Sequence, residues 1–332
     1  MEIKKSTMEN MERINFWKDR NVLVTGGNGL VGSHIVEALL KNNANVITTI
    51  RSKNPDSYLF TEELDKKTVL AIGDLKDYKR IYDIISKYEI EYIFHIGAQA
   101  IVPTAIINPG ETFGSNINGT VNVLESARLC ETINGIVVAS SDKAYGTSDI
   151  LPYTEEMPLK GDSPYDVSKS CTDLVAQSYY ETYELPITIA RFGNIYGPGD
   201  LNFNRIIPGA IKASLLDETL DIRSDGKMIR EYLYVKDVAD GYLMLCENIN
   251  KSKGEAFNLS SGLKLSVIEV IERISEIIDK KINYKILNTA ENEIYEQYLS
   301  TKKVEKFFGW KTKYSFEDGI KETAKWYEKI LK

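Results

Sequence analysis

Between Asn21 and Asn43 a short apolar run, VLVTG, meets a glycine-rich turn, Thr25-Gly26-Gly27-Asn28-Gly29-Leu30-Val31-Gly32. The turn passes straight into residues whose apolar members recur at helical spacing. The run is too brief for a helix, so the segment reads as strand, tight turn, helix. In such a turn Gly26 permits the reversal, Gly29 lets backbone approach a pyrophosphate, and Gly32 lets helix pack closely on strand. The first helical amides, at Leu30 and Val31, and the positive helix end would then face phosphate oxygens. The competing reading is a glycine turn that binds nothing.

The same alternation continues downstream. NVITTI, TVLAIGDL, EYIFHIGA, GIVVASS and LPITIARFGN read as further strands. Between them lie the helical stretches YKRIYDIISKY, PGETFGSNINGTVNVLESARLCE and SPYDVSKSCTDLVAQSYYETYE. Strands alternating with helices predict a parallel sheet covered on both faces. Right-handed crossovers make residues 21–195 a doubly wound, Rossmann-type α/β domain. After Tyr196 the alternation breaks down. Residues 196–332 are expected to form a smaller mixed α/β domain, mainly for substrate, with segments at about 232–260 returning to the first. Residues 1–20 carry charges throughout and no apolar core, so they read as a leader rather than a secretory signal.

Composition excludes several classes. A net charge of -7 argues against a general nucleic-acid-binding surface. No apolar run approaches the roughly 20 residues of a membrane span. Cys130, Cys171 and Cys246 are odd in number and widely spaced, which predicts buried reduced thiols in a cytoplasmic protein. His34 and His95 show no paired spacing with cysteine, so no metal site is expected.

Two clusters carry reactive groups. Ser141-Asp142-Lys143 follows the fifth strand, and Tyr165-x-x-x-Lys169 opens the next helix with both side chains on one face. A tyrosine titrating near 10 is too weak an acid to serve as a base at neutral pH. A neighbouring ammonium and a nicotinamide cation would both favour phenolate. Tyr165 could then take a proton from a sugar hydroxyl as hydride leaves the same carbon, with Lys169 on the nicotinamide ribose and Ser141 orienting the substrate oxygen. At the end of the second strand the usual ribose-binding acid is missing, replaced by Arg51-Ser52-Lys53. Arg51 suits the 2′-phosphate of NADP, or it stacks on adenine while the cofactor is NAD.

The order VTGGNGLVG, GDL, GAQ, SNINGT, SSDKAYG, YDVSK, RFGNIYGPG and IREYLYVKDV resembles the extended short-chain dehydrogenase/reductases that act on nucleotide sugars. The resemblance covers nearly the whole chain from Asn21. Asp142-Lys143 after the serine, with GDLNFNRIIP downstream, is most similar to the CDP-glucose branch of the 4,6-dehydratases. This resemblance implies a tightly bound NAD(P)+ contacted by Gly26, Gly29, Leu30, Val31, Gly32, Arg51, Asp74, Leu75, Ala98, Gln99, Asn116, Tyr165 and Lys169. Asp74 would bond the adenine amino group; its competing role is a helix N-cap.

The implied reaction oxidises carbon 4, eliminates water across carbons 5 and 6, and returns hydride to carbon 6. Asp142 would protonate the departing hydroxyl, and Lys143 would be the carbon 5 base or an enolate stabiliser. The bland alternative is that the two merely cap the strand end and pair with each other. A nucleoside-diphosphate sugar is the implied substrate, held by Asn194 and Arg230 at its diphosphate and by Arg205 at diphosphate or base. Each arginine could instead make a surface or interdomain ion pair. In this family the long helices from about Glu111 and Tyr165 pair two subunits, which implies a homodimer. A 4-epimerase or 4-reductase leaving Asp142-Lys143 idle is the nearest rival, and a non-catalytic NAD(P)-binding regulator a remote one.

Overall fold

In the computed structural model, residues 12–289 and 294–331 are described. The first six strands are β1 (Asn21–Thr25), β2 (Asn45–Ile50), β3 (Val69–Ile72), β4 (Tyr92–His95), β5 (Gly135–Ala139) and β6 (Ile187–Phe192). They pair in parallel, and with β10 (Ala256–Leu259) at one edge the sheet order is β10-β6-β5-β4-β1-β2-β3. Apolar residues fill these strands because both faces of a parallel sheet are covered. β1 lies between β2 and β4, so the chain's winding direction reverses there and the strand ends open a crevice.

The covering helices include α1 (Leu30–Lys41), α2 (Tyr78–Lys87), α3 (Gly119–Arg128) and α4 (Pro164–Tyr183). The apolar stripes of α2, α3 and α4 meet the sheet in a core that includes Leu23, Ile47, Ile81, Ile85, Ile93, Val123, Leu124, Ile136 and Ile187, while α1 buries Ile35, Val36 and Leu39. Burying each such aliphatic side chain contributes about 1.5–3 kcal/mol. α4 starts where it does because Ser163 and Asp166 form a reciprocal capping box ahead of Pro164. That cap fixes the first turn, where Tyr165 sits.

The long helix expected from Pro109 is interrupted. Pro109–Phe113 is α-helical, Gly114–Asn118 widens into a π-helical turn, and α3 follows. The wider turn lets the Asn116 carbonyl accept from the hydroxyls of both Thr120 and Thr172, a demand that apolar periodicity does not reveal. The thiols also differ from expectation. Cys246 is buried, but Cys130 lies past the end of α3 and is only half-buried, as is Cys171.

Contacts gather the chain into two units. The first holds the described residues up to Gly146, Leu159–Arg191 and Ala239–Phe257. The second holds Thr147–Pro158, Phe192–Val238 and the described residues from Asn258 onward. Within the second, β9 (Ile229–Tyr234) pairs in parallel with β7 (Asn194–Tyr196) and β13 (Glu296–Gln297), and antiparallel with β11 (Lys264–Ser266). A separate parallel pair joins β8 (Leu220–Ile222) to β12 (Tyr284–Ile286). Among the described residues no helix is long and apolar enough to cross a membrane.

Candidate active site

The glycine turn is shaped for close approach. Gly26 takes φ +70°, and a Cβ there would stand 2.7 Å from the Cα of Gly97. A Cβ on Gly32 would lie 2.3 Å from the Gly26 carbonyl oxygen, so this glycine permits helix-on-turn packing. Gly29 is different: a Cβ there would meet only the Gly26 oxygen, at 3.3 Å. The space over Gly29 is therefore open. Gly29 caps α1 with extended backbone and no side-chain hydrogen bond, leaving the helix N-terminus, with Leu30 and Val31, to an anion. A dinucleotide pyrophosphate fits this cradle.

At the tip of β2 the exposed Arg51 pairs with Glu111 at 3.2 Å. Asn28 Nδ2 donates to the Ser52 carbonyl at 3.0 Å, tying the glycine turn to this tip. Asp74 accepts from the Lys76 amide at 2.9 Å, whereas the N-cap of α2 is Asp77. Leu75 is buried beside the turn, and Ala98 is half-buried. Gln99 and Asn116 are buried and exchange two hydrogen bonds. The Gln99 amide donates to Asn116 Oδ1 at 2.7 Å, and Asn116 Nδ2 donates to the Gln99 carbonyl at 3.0 Å. Asn116 Nδ2 also reaches Ser168 Oγ at 2.9 Å, linking the π-helical turn to α4.

A residue that sequence reasoning passed over lies behind this link. Thr25 Oγ1 accepts from the amides of Ile96 and Gly97, so its own proton points at His95 Nδ1, 3.0 Å away. His95 Nε2–H then donates to Thr120 Oγ1 at 3.0 Å. Burial, with the Lys169 charge adding to it, drives the imidazole from its ordinary 6.5 down to about 3. Between those two pH values the unfolded chain binds a proton that the folded chain refuses, so stability falls as pH falls through the window. His95→Gln keeps a donor and an acceptor. It is expected to flatten the dependence of the urea midpoint on pH between about 6.5 and 4; an unchanged slope would show that His95 is not its source.

β5 ends at Ala139, and Ser141 caps a 3₁₀ turn, Asp142–Tyr145. The Ser141 hydroxyl donates to Asp142 Oδ1 at 2.8 Å and accepts from the Lys143 amide at 3.2 Å. Asp142 is 4% exposed, and Lys143 is half-buried. Below the turn, Arg191 grips Asp173 at 2.7 and 3.0 Å and donates to the Tyr145 hydroxyl at 2.7 Å, all buried. This arrangement anchors the turn that carries Asp142 and Lys143 to α4 and β6. Lys169 donates to the Ala139 carbonyl at 2.8 Å. Burial lowers its ammonium to about 8, against the opposing pull of Asp173.

Tyr165 is half-buried, and its phenol adds to the burial that raises the Tyr242 hydroxyl. Asp166 is a second acid near the turn. Burial raises its carboxyl, Lys143 opposes that, and Asp142 reinforces it. The local S-P-Y-D pattern announces Asp166 as a capping residue, while its proximity to Asp142 and Lys143 needs the folded chain. The first unit thus holds Ser141, Asp142 and Lys143 just past the end of β5, with Lys169 bonded to that strand's last residue and Tyr165 one turn before it on α4.

Within the second unit, Asn194 Nδ2 donates to the Glu231 carbonyl at 3.2 Å. Arg205 is exposed and pairs with the buried Asp200 at 3.1 Å. Arg230 donates to the carbonyls of Ile229 at 2.8 Å, Tyr295 at 3.1 Å and Ile294. A cavity of about 540 Å³ in this unit, lined by Tyr196, Tyr232, Tyr234 and Arg273 among others, includes none of these three in its wall. Among the described residues no group of three or more His, Cys, Asp or Glu could hold a metal ion.

Comparison with known proteins places the chain among nucleotide-sugar enzymes. The profile of a family described as GDP-mannose 4,6 dehydratase matches residues 23–323. A Methanocaldococcus jannaschii protein provisionally named a UDP-glucose 4-epimerase is 32% identical over 92% of this chain and 97% of its own length. A dTDP-glucose 4,6-dehydratase from Haemophilus influenzae is 28% identical over 92% of this chain and 97% of its own. The crystal structure of a Bacillus anthracis dTDP-glucose 4,6-dehydratase in complex with NAD superposes with a TM-score of 0.81. That match has 28% identity and covers 93% of this chain and 97% of the other.

Proposed function

Because the chain belongs to the GDP-mannose 4,6 dehydratase family, a family of extended short-chain dehydrogenase/reductases, we propose that it is a nucleoside-diphosphate-sugar 4,6-dehydratase. The observation that carries this reading is Asp142. It is a buried acid directly after Ser141, oriented by that hydroxyl at 2.8 Å and followed by a lysine. Oxidation at carbon 4 alone needs only Ser141, Tyr165 and Lys169. A second acid placed with them has work to do when a hydroxyl must leave.

A nicotinamide dinucleotide held at Gly26–Gly32 supplies reversible hydride storage, from carbon 4 and back to carbon 6. The protein's own groups handle protons. Tyr165 takes the proton of the carbon 4 hydroxyl, assisted by the ammonium of Lys169 one turn away. Ser141 orients that oxygen. The ketone so formed acidifies the hydrogen on carbon 5, whose proton Lys143 takes and then gives back to carbon 5 as hydride reaches carbon 6. Asp142, buried and oriented by the Ser141 hydroxyl, is the group assigned to give a proton to the leaving hydroxyl of carbon 6. Asn194, Arg205 and Arg230 hold the nucleoside diphosphate, and the two arginines would exchange their present partners for phosphate oxygens. A homodimer belongs to the same proposal: Leu174 and Tyr183 stand exposed on α4, one of the two helices that would pair.

The test incubates purified protein with CDP-, dTDP-, UDP- and GDP-hexoses and reads product masses, with light scattering for assembly. The expected result is loss of one water from one or more of them and a dimeric mass. A 4-epimerase is the second reading, favoured by the Methanocaldococcus relative. An isomer of unchanged mass as sole product would establish it and remove the dehydratase; a monomer would remove the dimer.

A further inference from the structure

The chain lacks an acid at the end of β2, where a dinucleotide's adenosine ribose is usually held, and carries Arg51-Ser52-Lys53 instead. Taken alone, those cations invite a 2′-phosphate. The fold brings an acid to the same place from elsewhere. Glu111 lies on the helix Pro109–Phe113, and its Oε1 meets Arg51 Nη1 at 3.2 Å. Its Oε2 meets Lys76 Nζ at 2.7 Å, and the Ser115 hydroxyl donates to Oε1 at 3.1 Å. Its own amide donates to Asn108 Oδ1 at 3.2 Å, so backbone and carboxylate are both fixed. One carboxylate therefore occupies two cations at the adenosine end.

We propose that Glu111 determines cofactor choice: by engaging Arg51 and Lys76 it makes this end of the site hostile to a 2′-phosphate, so the chain takes NAD in preference to NADP. The inference rests on the reading that Gly26–Gly32 binds a nicotinamide dinucleotide. A 2′-phosphate seated on Arg51 would carry close to two negative charges. It would displace or adjoin a carboxylate already bound there, and like charges at that range disfavour it. Lys76 first, then Ser115 and Arg51, hold the Glu111 carboxyl below its ordinary range, so it stays ionised at neutral pH. The ribose diol of NAD brings no charge and suffers no such conflict.

The full chain, freed of co-purified nucleotide with charcoal, is titrated with NAD and with NADP by calorimetry at low salt. Wild type is expected to bind NAD more tightly. In Glu111→Gln the ratio of NADP to NAD affinity should rise at least about tenfold, and adding Arg51→Ala should cancel that rise. The rise should shrink as salt increases, because these groups are exposed. A wild-type preference for NADP, or a ratio unchanged in Glu111→Gln, overturns the role given to Glu111 while leaving dinucleotide binding intact. Failure of both nucleotides to bind removes the dinucleotide reading itself.

Discussion

Asp142→Asn is expected to stop water loss while leaving oxidation at carbon 4 in place. The amide keeps the shape of the carboxyl and can still accept from the Ser141 hydroxyl, now 2.8 Å from Oδ1. What it lacks is a proton for a leaving hydroxyl. Removing a positioned general acid costs typically 10²–10⁴-fold, so dehydration should fall by about that factor. Because the oxidising groups remain, reduced nicotinamide should accumulate after mixing with substrate, seen by its absorbance, without dehydrated product in the mass spectrum. Dehydration within about threefold of wild type would show that Asp142 is not the acid. Neighbouring Asp166 is then the group to test, since burial raises its carboxyl and it lies within electrostatic reach of Asp142 and Lys143.

Tyr165→Phe is expected to stop the reaction one step earlier. The phenol hydroxyl is the only atom removed, and the helix start is set by Ser163, Pro164 and Asp166 rather than by Tyr165. Lys169, buried and lowered to about 8, is still mostly protonated at neutral pH and so favours a nearby phenolate. Without the phenol, neither reduced nicotinamide nor dehydrated product should appear, with loss of roughly 10²–10⁴-fold in both. Retained dinucleotide at wild-type stoichiometry would separate this outcome from misfolding. Formation of reduced nicotinamide at near wild-type rate would remove Tyr165 as the base. The contrast between the two variants is the sharper observation. Asp142→Asn should divide oxidation from elimination, whereas Tyr165→Phe should abolish both.

Much of this site is legible locally. The glycine turn, the six parallel strands and the tyrosine–lysine pair are contiguous signals, each contained within one turn or one helical repeat. Gly32 illustrates the point: its position after Gly29 predicts close packing, and a Cβ would indeed meet the Gly26 oxygen at 2.3 Å. Other features depend on residues far apart in the chain. Nothing near Arg51 announces Glu111, sixty positions later, because their meeting requires β2 to end where the helix Pro109–Phe113 begins. The Arg191–Asp173–Tyr145 cluster likewise draws on β6, α4 and the 3₁₀ turn. The two-residue β13 and three-residue β12 are too short to show a period, so only their partners define them.

The sequence by itself determined the doubly wound sheet and the glycine turn between β1 and α1, and it named the candidate side chains, because periodicity and turn chemistry act over a few residues. The tertiary structure decided how those side chains are held. Asp142 is oriented by Ser141 and Lys169 is anchored to the end of β5, while His95 is kept neutral between two threonines. It also decided that Arg51 is a paired cation rather than a free one. Burial and charge pairing are properties of what surrounds a group, and in a parallel sheet those surroundings are assembled by crossovers from distant parts of the chain.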